Sequence, residues 1–63
     1  MKIDLYKLEL AQARSGKSWD ALGVDRRLIM RIKRGQDLKP LTVARLADKL
    51  RVDPECITVR GDQ

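Results

Sequence analysis

Five basic side chains fall within nine consecutive residues, with no acidic residue among them: Arg26, Arg27, Arg31, Lys33 and Arg34. The chain carries 14 basic and 9 acidic residues and a net charge of +5, so this segment alone equals the excess. Such a concentrated field attracts a polyanion. Like charges this close also repel, which weakens a helix unless a partner neutralises them. The segment therefore predicts a surface that binds a polyanion; the alternative is a solvated face on a basic protein.

The composition argues against catalysis and against metal binding. The sequence contains no histidine, the commonest general base and metal ligand. The lone Cys56 has no intrachain disulfide partner and belongs to no zinc-binding cluster. A chain of 63 residues forms one domain, and a catalytic cleft of ordinary size would need a partner. We predict a single domain over 1–63 that is not an enzyme, with no catalytic residue, metal, cofactor or small-molecule substrate.

The first ten residues and the hydropathy bear on location. No apolar run approaches the roughly 20 residues of a membrane span. Lys2, Asp4, Lys7 and Glu9 place charges throughout the opening segment, which is unlike a signal peptide. A single cysteine fits a reducing compartment. We therefore expect a cytoplasmic protein without a membrane partner.

The basic segment carries the start and stop signals of one helix. Asp25 is suited to cap its first turn. Gly35 can take the left-handed conformation that ends a helix. The residues between make about two and a half turns, and Ile29 and Ile32 share a face with Val24. A helix this short is marginal alone, so the isoleucines must anchor it while the arginines face outward.

Four more helices are predicted around the basic helix. Asp4 precedes a first helix that runs to about Arg14 and ends at Gly16, and Ser18 precedes a single turn over 19–22. Pro40 is at the first position of the fourth helix. Asp53 and Pro54 begin a short last helix. Val43, Leu46, Ala47 and Leu50 give the fourth helix the clearest amphipathic pattern. The expected fold is all-α, a compact bundle of five short helices without a strand pair.

The end of the chain is predicted to complete the core and then to fray. Cys56 and Ile57 are expected to close the core, with Cys56 as a small buried hydrophobe. Residues 58–63 form a frayed or extended tail, flexible over about 59–63. Ile57 and Val59 are also the best candidates for a dimer interface, since branched apolar residues beyond a core require cover.

The stretch Gly23-Val24-Asp25-Arg26-Arg27-Leu28-Ile29-Met30-Arg31-Ile32-Lys33-Arg34-Gly35 resembles the turn and recognition helix of the phage repressor and Cro class, the Xre family of helix-turn-helix proteins. The glycine-containing turn between the one-turn helix and the basic helix fits that unit. Pro40 and residues 46–53 resemble the family's fourth helix, and residues 2–14 resemble the first helix of its small mobile-element regulators. The resemblance implies a lambda-repressor-like fold and double-stranded DNA as the partner.

Two departures from the family pattern concern the second helix and the cap. The second helix is about one turn shorter than usual, and we favour a deletion that gives Ser18 the phosphate-facing start. An alignment without a gap would put Trp19 where a small residue is expected. The cap is Asp25, where serine or threonine is common, and its carboxylate would disfavour a nearby phosphate unless capping bonds hold it inward.

A recognition helix enters the major groove with its N-terminal residues on base edges. The predicted base-reading residues are Arg26, Arg27, Arg31 and Met30, with arginine pairing to guanine O6 and N7 and Met30 touching a thymine methyl or shielding the helix. The predicted phosphate contacts are Lys17, Arg34, Lys39 and the backbone N–H groups at Ser18 and Trp19. Plain phosphate contact by Arg26, Arg27 or Arg31, and a packing role for Trp19, are the alternatives.

The leading hypothesis is a sequence-specific, repressor-like transcriptional regulator that occupies an operator. The family often binds as a homodimer to half-sites about one helical turn apart. Two alternatives reuse the same fold: a protein-interaction or antitoxin-type module, and an excisionase-like architectural factor that bends DNA. Salt-sensitive binding to duplex DNA would distinguish the leading hypothesis from the protein-interaction module. A bending assay would distinguish it from the architectural factor.

Overall fold

The computed structural model describes residues 1–59, which contain four α-helices and one turn of 3-10 helix. The helices are α1 (Leu5–Ser15), α2 (Trp19–Leu22), α3 (Arg26–Lys33) and α4 (Pro40–Leu50), and the 3-10 turn is Pro54–Cys56. The all-α prediction is confirmed over these residues, with the predicted fifth helix reduced to a single 3-10 turn. None of the described helices is long and apolar enough to cross a bilayer.

Short polar side chains start three of the helices, as predicted. The Asp25 carboxylate accepts a hydrogen bond of 2.8 Å from the backbone N–H of Arg27, and Asp4 and Ser18 cap α1 and α2 in the same manner. Each bond satisfies a first-turn N–H that has no partner within its helix. Asp53 is the N-cap residue of the 3-10 turn, as predicted, but its side chain makes no capping hydrogen bond.

The helix ends also follow local signals. α3 stops at Lys33, one residue before the predicted end, and Arg34 keeps a helical backbone as its C-cap. Gly35 then turns left-handed at φ +78° and donates to the Ile32 carbonyl at 2.9 Å. α4 ends on Arg51, which adopts the same left-handed region at φ 57° without being glycine.

The core lies between α1, α3 and α4 and takes one face of each. Ile29 and Ile32 are 5% and 4% exposed, so the predicted anchoring of α3 is confirmed. The predicted apolar face of α4 is buried throughout: Val43, Leu46, Ala47 and Leu50. Burying an isoleucine side chain contributes about 1.5–3 kcal/mol, which stabilises a helix too short to persist alone.

The Pro54–Cys56 turn corrects the prediction for Cys56. Cys56 is exposed, whereas the next residue, Ile57, is fully buried at 0% exposure. Neighbouring side chains of a tight turn point in different directions, so they cannot both enter the core. The larger apolar side chain gains more from burial and takes the inner position.

Residues 2–4 and 57–59 lie side by side instead of fraying. The Asp4 N–H donates to the Ile57 carbonyl at 2.8 Å, and the Val59 N–H donates to the Lys2 carbonyl at 2.9 Å. The predicted tail is therefore extended and hydrogen-bonded as far as Val59; residues 60–63 lie outside the described residues. Ile57 belongs to the core, so the predicted dimer interface retains only Val59, which is 48% exposed.

Candidate nucleic-acid interface

Three arginines form a single exposed stripe along the outer side of α3 and its C-cap. Arg27, Arg31 and Arg34 follow one another at i, i+4 and i+7, which places them on one helix face. All three are exposed, and the opposite face carries the buried Ile29 and Ile32. We call these three residues the arginine stripe. The eight residues of α3 span about 12 Å at 1.5 Å per residue.

Arg31 is held by Gln36, a residue that the sequence analysis did not single out. The Arg31 Nε donates to the Gln36 side-chain oxygen at 3.1 Å, and the Gln36 backbone N–H donates to the Arg31 carbonyl at 3.2 Å. The left-handed Gly35 folds the chain back over the last turn of α3 and so brings these groups together. The Nε contact leaves both terminal NH₂ groups of Arg31 without a protein partner among the described residues. The sequence feature that could have indicated this contact is a polar residue, Gln36, directly after the helix-ending Gly35.

Arg26 lies on the flank of α3 and is paired across the turn with α2. Its Nη2 donates to the Asp20 carboxylate at 3.0 Å, and the two side chains are 79% and 66% exposed. An exposed ion pair of this kind contributes about 0.2–1 kcal/mol. The structure thus separates Arg26 from Arg27 and Arg31, with which it was grouped as a base reader. The partner was hard to foresee because the two residues lie on different helices.

Trp19 and Met30 border a cleft between α3 and the first two helices. This cleft has a volume of about 330 Å³. Trp19 is half-buried and packs against the core, which supports the packing alternative, while part of its surface lines the cleft. Met30 is 56% exposed beside the arginine stripe, so its side chain is accessible to a ligand.

The residues predicted to hold phosphates are exposed, apart from the half-buried Trp19. Lys17 and Ser18 precede α2, and Lys39 immediately precedes α4. The Ser18 hydroxyl already accepts from the Ala21 N–H at 3.2 Å, so it serves the helix cap. Phosphate contact by these groups and by Arg34 remains a prediction.

Metal ligands do not cluster in the part of the chain that the structure describes: no three Asp, Glu or Cys side chains come together there. Comparisons with protein-family models, with curated proteins and with solved structures find no significant match. Function must therefore be inferred from the arrangement of the chain's own side chains.

Proposed function

We propose that this protein is a sequence-specific, double-stranded DNA-binding transcriptional regulator that reads the major groove with α3. The observation that carries the proposal is the arginine stripe: three exposed guanidinium groups on one face of a helix whose other face is anchored in the core. A cationic helix presented in this way suits a polyanion with a concave surface. The major groove is about 12 Å wide and admits one α-helix.

The connection between α2 and α3 supports a helix-turn-helix unit of the phage repressor and Cro type. Gly23 is left-handed at φ +76°, and the Val24 N–H donates to the Trp19 carbonyl at 2.9 Å. Val24 is buried, so the turn is pinned to the core. The Lys49 ammonium donates to the Gly23 carbonyl at 2.6 Å and ties the turn to α4. The four-residue length of α2 supports the deletion that we favoured from the sequence.

Arg27 and Arg31 are the residues that we assign to base reading. An arginine presents two N–H groups to O6 and N7 of guanine, so the expected half-site contains guanine. Gln36 restricts Arg31 before DNA arrives, which lowers the entropy lost on binding. Arg26 would first have to leave Asp20, a small penalty for so exposed a pair. Met30 lies where it could contact a thymine methyl group.

The Asp25 carboxylate is engaged as the helix cap, which reduces but does not cancel its repulsion of a nearby phosphate. It accepts the Arg27 N–H at 2.8 Å at the positive end of the α3 dipole. Arg34 lies at the opposite end of the stripe, where contact with a phosphate would set register without reading sequence. Lys17 and Lys39 would extend the phosphate contacts on other segments. Occupation of an operator in the cytoplasm, by a monomer or a homodimer, would block or recruit polymerase.

Selection of bound duplexes from a random oligonucleotide pool tests the proposal directly. The selected duplexes should share a guanine-containing motif. If about six phosphates are neutralised, affinity should fall with a log–log salt slope near −5. A matched control carries Arg27→Gln, Arg31→Gln and Arg34→Gln and should recover no motif.

The same experiment separates the alternatives on this fold. Duplex binding that is absent or insensitive to salt would overturn the proposal and favour a protein-interaction or antitoxin-type module. Binding without a shared motif, accompanied by strong bending in a gel-mobility assay, would favour an excisionase-like architectural factor instead.

A further inference from the structure

A second cationic surface extends along α1 to the end of the bundle where α1, α2 and α4 terminate. Two adjoining hollows of about 410 and 270 Å³ share Ala11, Arg14 and Val52 as lining residues. We call the combined surface the basic groove. Its apolar floor includes Leu22 and Leu50. No residue of α3 lines either hollow, so the basic groove is distinct from the arginine stripe.

Every charged side chain that lines the basic groove is positive: Lys7, Arg14, Lys17, Lys49 and Arg51. In the sequence, the nine basic residues outside the segment 26–34 equal the nine acids in number, and the excess seemed confined to that segment. The fold does not preserve that balance locally, because it gathers five of these bases together without an acid. Among the described residues, the side chains of Arg14, Lys17 and Arg51 have no hydrogen-bond or ion-pair partner.

Favourable interaction with the helix dipoles explains the position of only some of these basic side chains. Arg14 and Lys49 lie in the last turns of α1 and α4, where cations stabilise a helix. Arg51 is the C-cap residue of α4, whereas Lys17 lies beyond the C-cap of α1. Arg51 also has a left-handed backbone conformation, at φ 57°, which favours glycine. The chain has an arginine at this strained position, and its charged side chain lines the groove.

We propose that the basic groove binds an acidic peptide segment of a partner protein, with apolar side chains on its floor and carboxylates along its basic rim. Charge complementarity selects an anionic partner. The floor residues Leu22, Leu50 and Val52 select a partner that also carries apolar groups, which a DNA backbone lacks. Single-stranded nucleic acid relies on aromatic stacking platforms, and no aromatic residue lines the groove. This binding goes beyond the proposed DNA recognition because it uses none of α3.

The test uses a fluorescein-labelled ten-residue peptide in which glutamate and aspartate flank two leucines. One control peptide carries amides in place of the carboxylates, and a second carries serines in place of the leucines. Binding of each to the full chain is measured by fluorescence anisotropy. The expected result is tightest binding by the first peptide, with amide NMR shifts at Leu22, Leu50 and Val52 and none across 26–34.

Two protein variants of equal charge locate the binding. The groove variant combines Arg14→Gln with Arg51→Gly, a change that suits the left-handed backbone at 51; Lys17 is retained as a predicted phosphate contact. The stripe variant combines Arg27→Gln with Arg34→Gln. Each loses two positive charges, so the net charge falls from +5 to +3 in both.

The two variants should lose different ligands. Two exposed ion pairs together increase affinity by a factor of about 2 to 30. The groove variant lacks two such pairs with the peptide, so it should bind the acidic peptide about tenfold more weakly. It should retain DNA binding, whereas the stripe variant should lose DNA and retain the peptide. The proposal is overturned if the acidic peptide does not bind, if either control peptide binds as tightly, or if both variants lose the peptide equally. A groove variant that loses DNA as severely as the stripe variant would instead make the groove a phosphate contact.

Discussion

Replacing Arg27 with alanine should relax sequence preference at one base pair and leave the fold intact. The Arg27 side chain is exposed and has no hydrogen-bond or ion-pair partner among the described residues, so its removal breaks no hydrogen bond or ion pair there. Alanine is also the best helix former, and the stability change should stay within about 0.5 kcal/mol. The backbone N–H of Arg27, which the Asp25 cap requires, is retained.

The size of the effect follows from the contact that is lost. A bidentate arginine–guanine pair discriminates by about 1–3 kcal/mol, which corresponds to about 5- to 150-fold at that base pair. Arg34→Ala provides the comparison, because Arg34 belongs to the same stripe at its C-terminal end. Loss of one phosphate contact there should weaken all duplexes alike and make the salt slope shallower by about 0.9.

The assay compares the selected duplex with its single-base-pair variants, for the native chain and for each alanine variant. Arg27→Ala should flatten the profile at one position only, and Arg34→Ala should lower the whole profile without changing its shape. A uniform loss in both variants would refute base reading by Arg27 and leave the stripe as a phosphate-binding surface.

The remaining predictions concern Arg31 positioning, the core, the cap and the left-handed C-cap. Gln36→Ala should reduce discrimination at the base pair read by Arg31, but by less than Arg31→Ala does; equal losses in the base-pair profile would contradict a positioning role. Ile32→Ala should lower the free energy of unfolding by about 2–5 kcal/mol in urea titrations, with the exposed Leu41→Ala as a control that changes little. Asp25→Ser should retain a helix cap and change the free energy of unfolding by less than about 0.5 kcal/mol. It should tighten DNA binding a few-fold, since a carboxylate near phosphate is removed; weaker binding would count against the placement of α3. Arg51→Gly should raise stability by about 1 kcal/mol, because glycine adopts the left-handed region without a Cβ clash, and a lower melting temperature would refute the strain.

Local signals predicted the helices well because each depends on a few neighbouring residues. Asp4, Ser18 and Asp25 each cap the helix that follows, since a cap needs only the N–H groups two or three positions ahead. Ile29 and Ile32 were recognisable as core residues because their spacing alone puts them on one face of α3. The outward direction of the arginine stripe follows from the same periodicity.

Side-chain partners across turns and between helices were not predicted in this way. Arg26 with Asp20 and Arg31 with Gln36 meet because left-handed turns reverse the chain, and their separations match no spacing along one helix. The 3-10 turn likewise decided that Ile57 enters the core and Cys56 does not. These outcomes depend on competition for space, which a linear pattern does not record.

The amino-acid sequence by itself determined an all-α chain and one short helix with opposite apolar and cationic faces, because caps, glycines and helical periodicity act within a few residues. Only the tertiary structure decided which arginines stay unpaired at the surface and which bases gather into the basic groove. Charges distant along the chain become neighbours only when α1, α2 and α4 end at the same place. Counting bases against acids along the sequence conceals that grouping, since electrostatic interaction depends on distance in space.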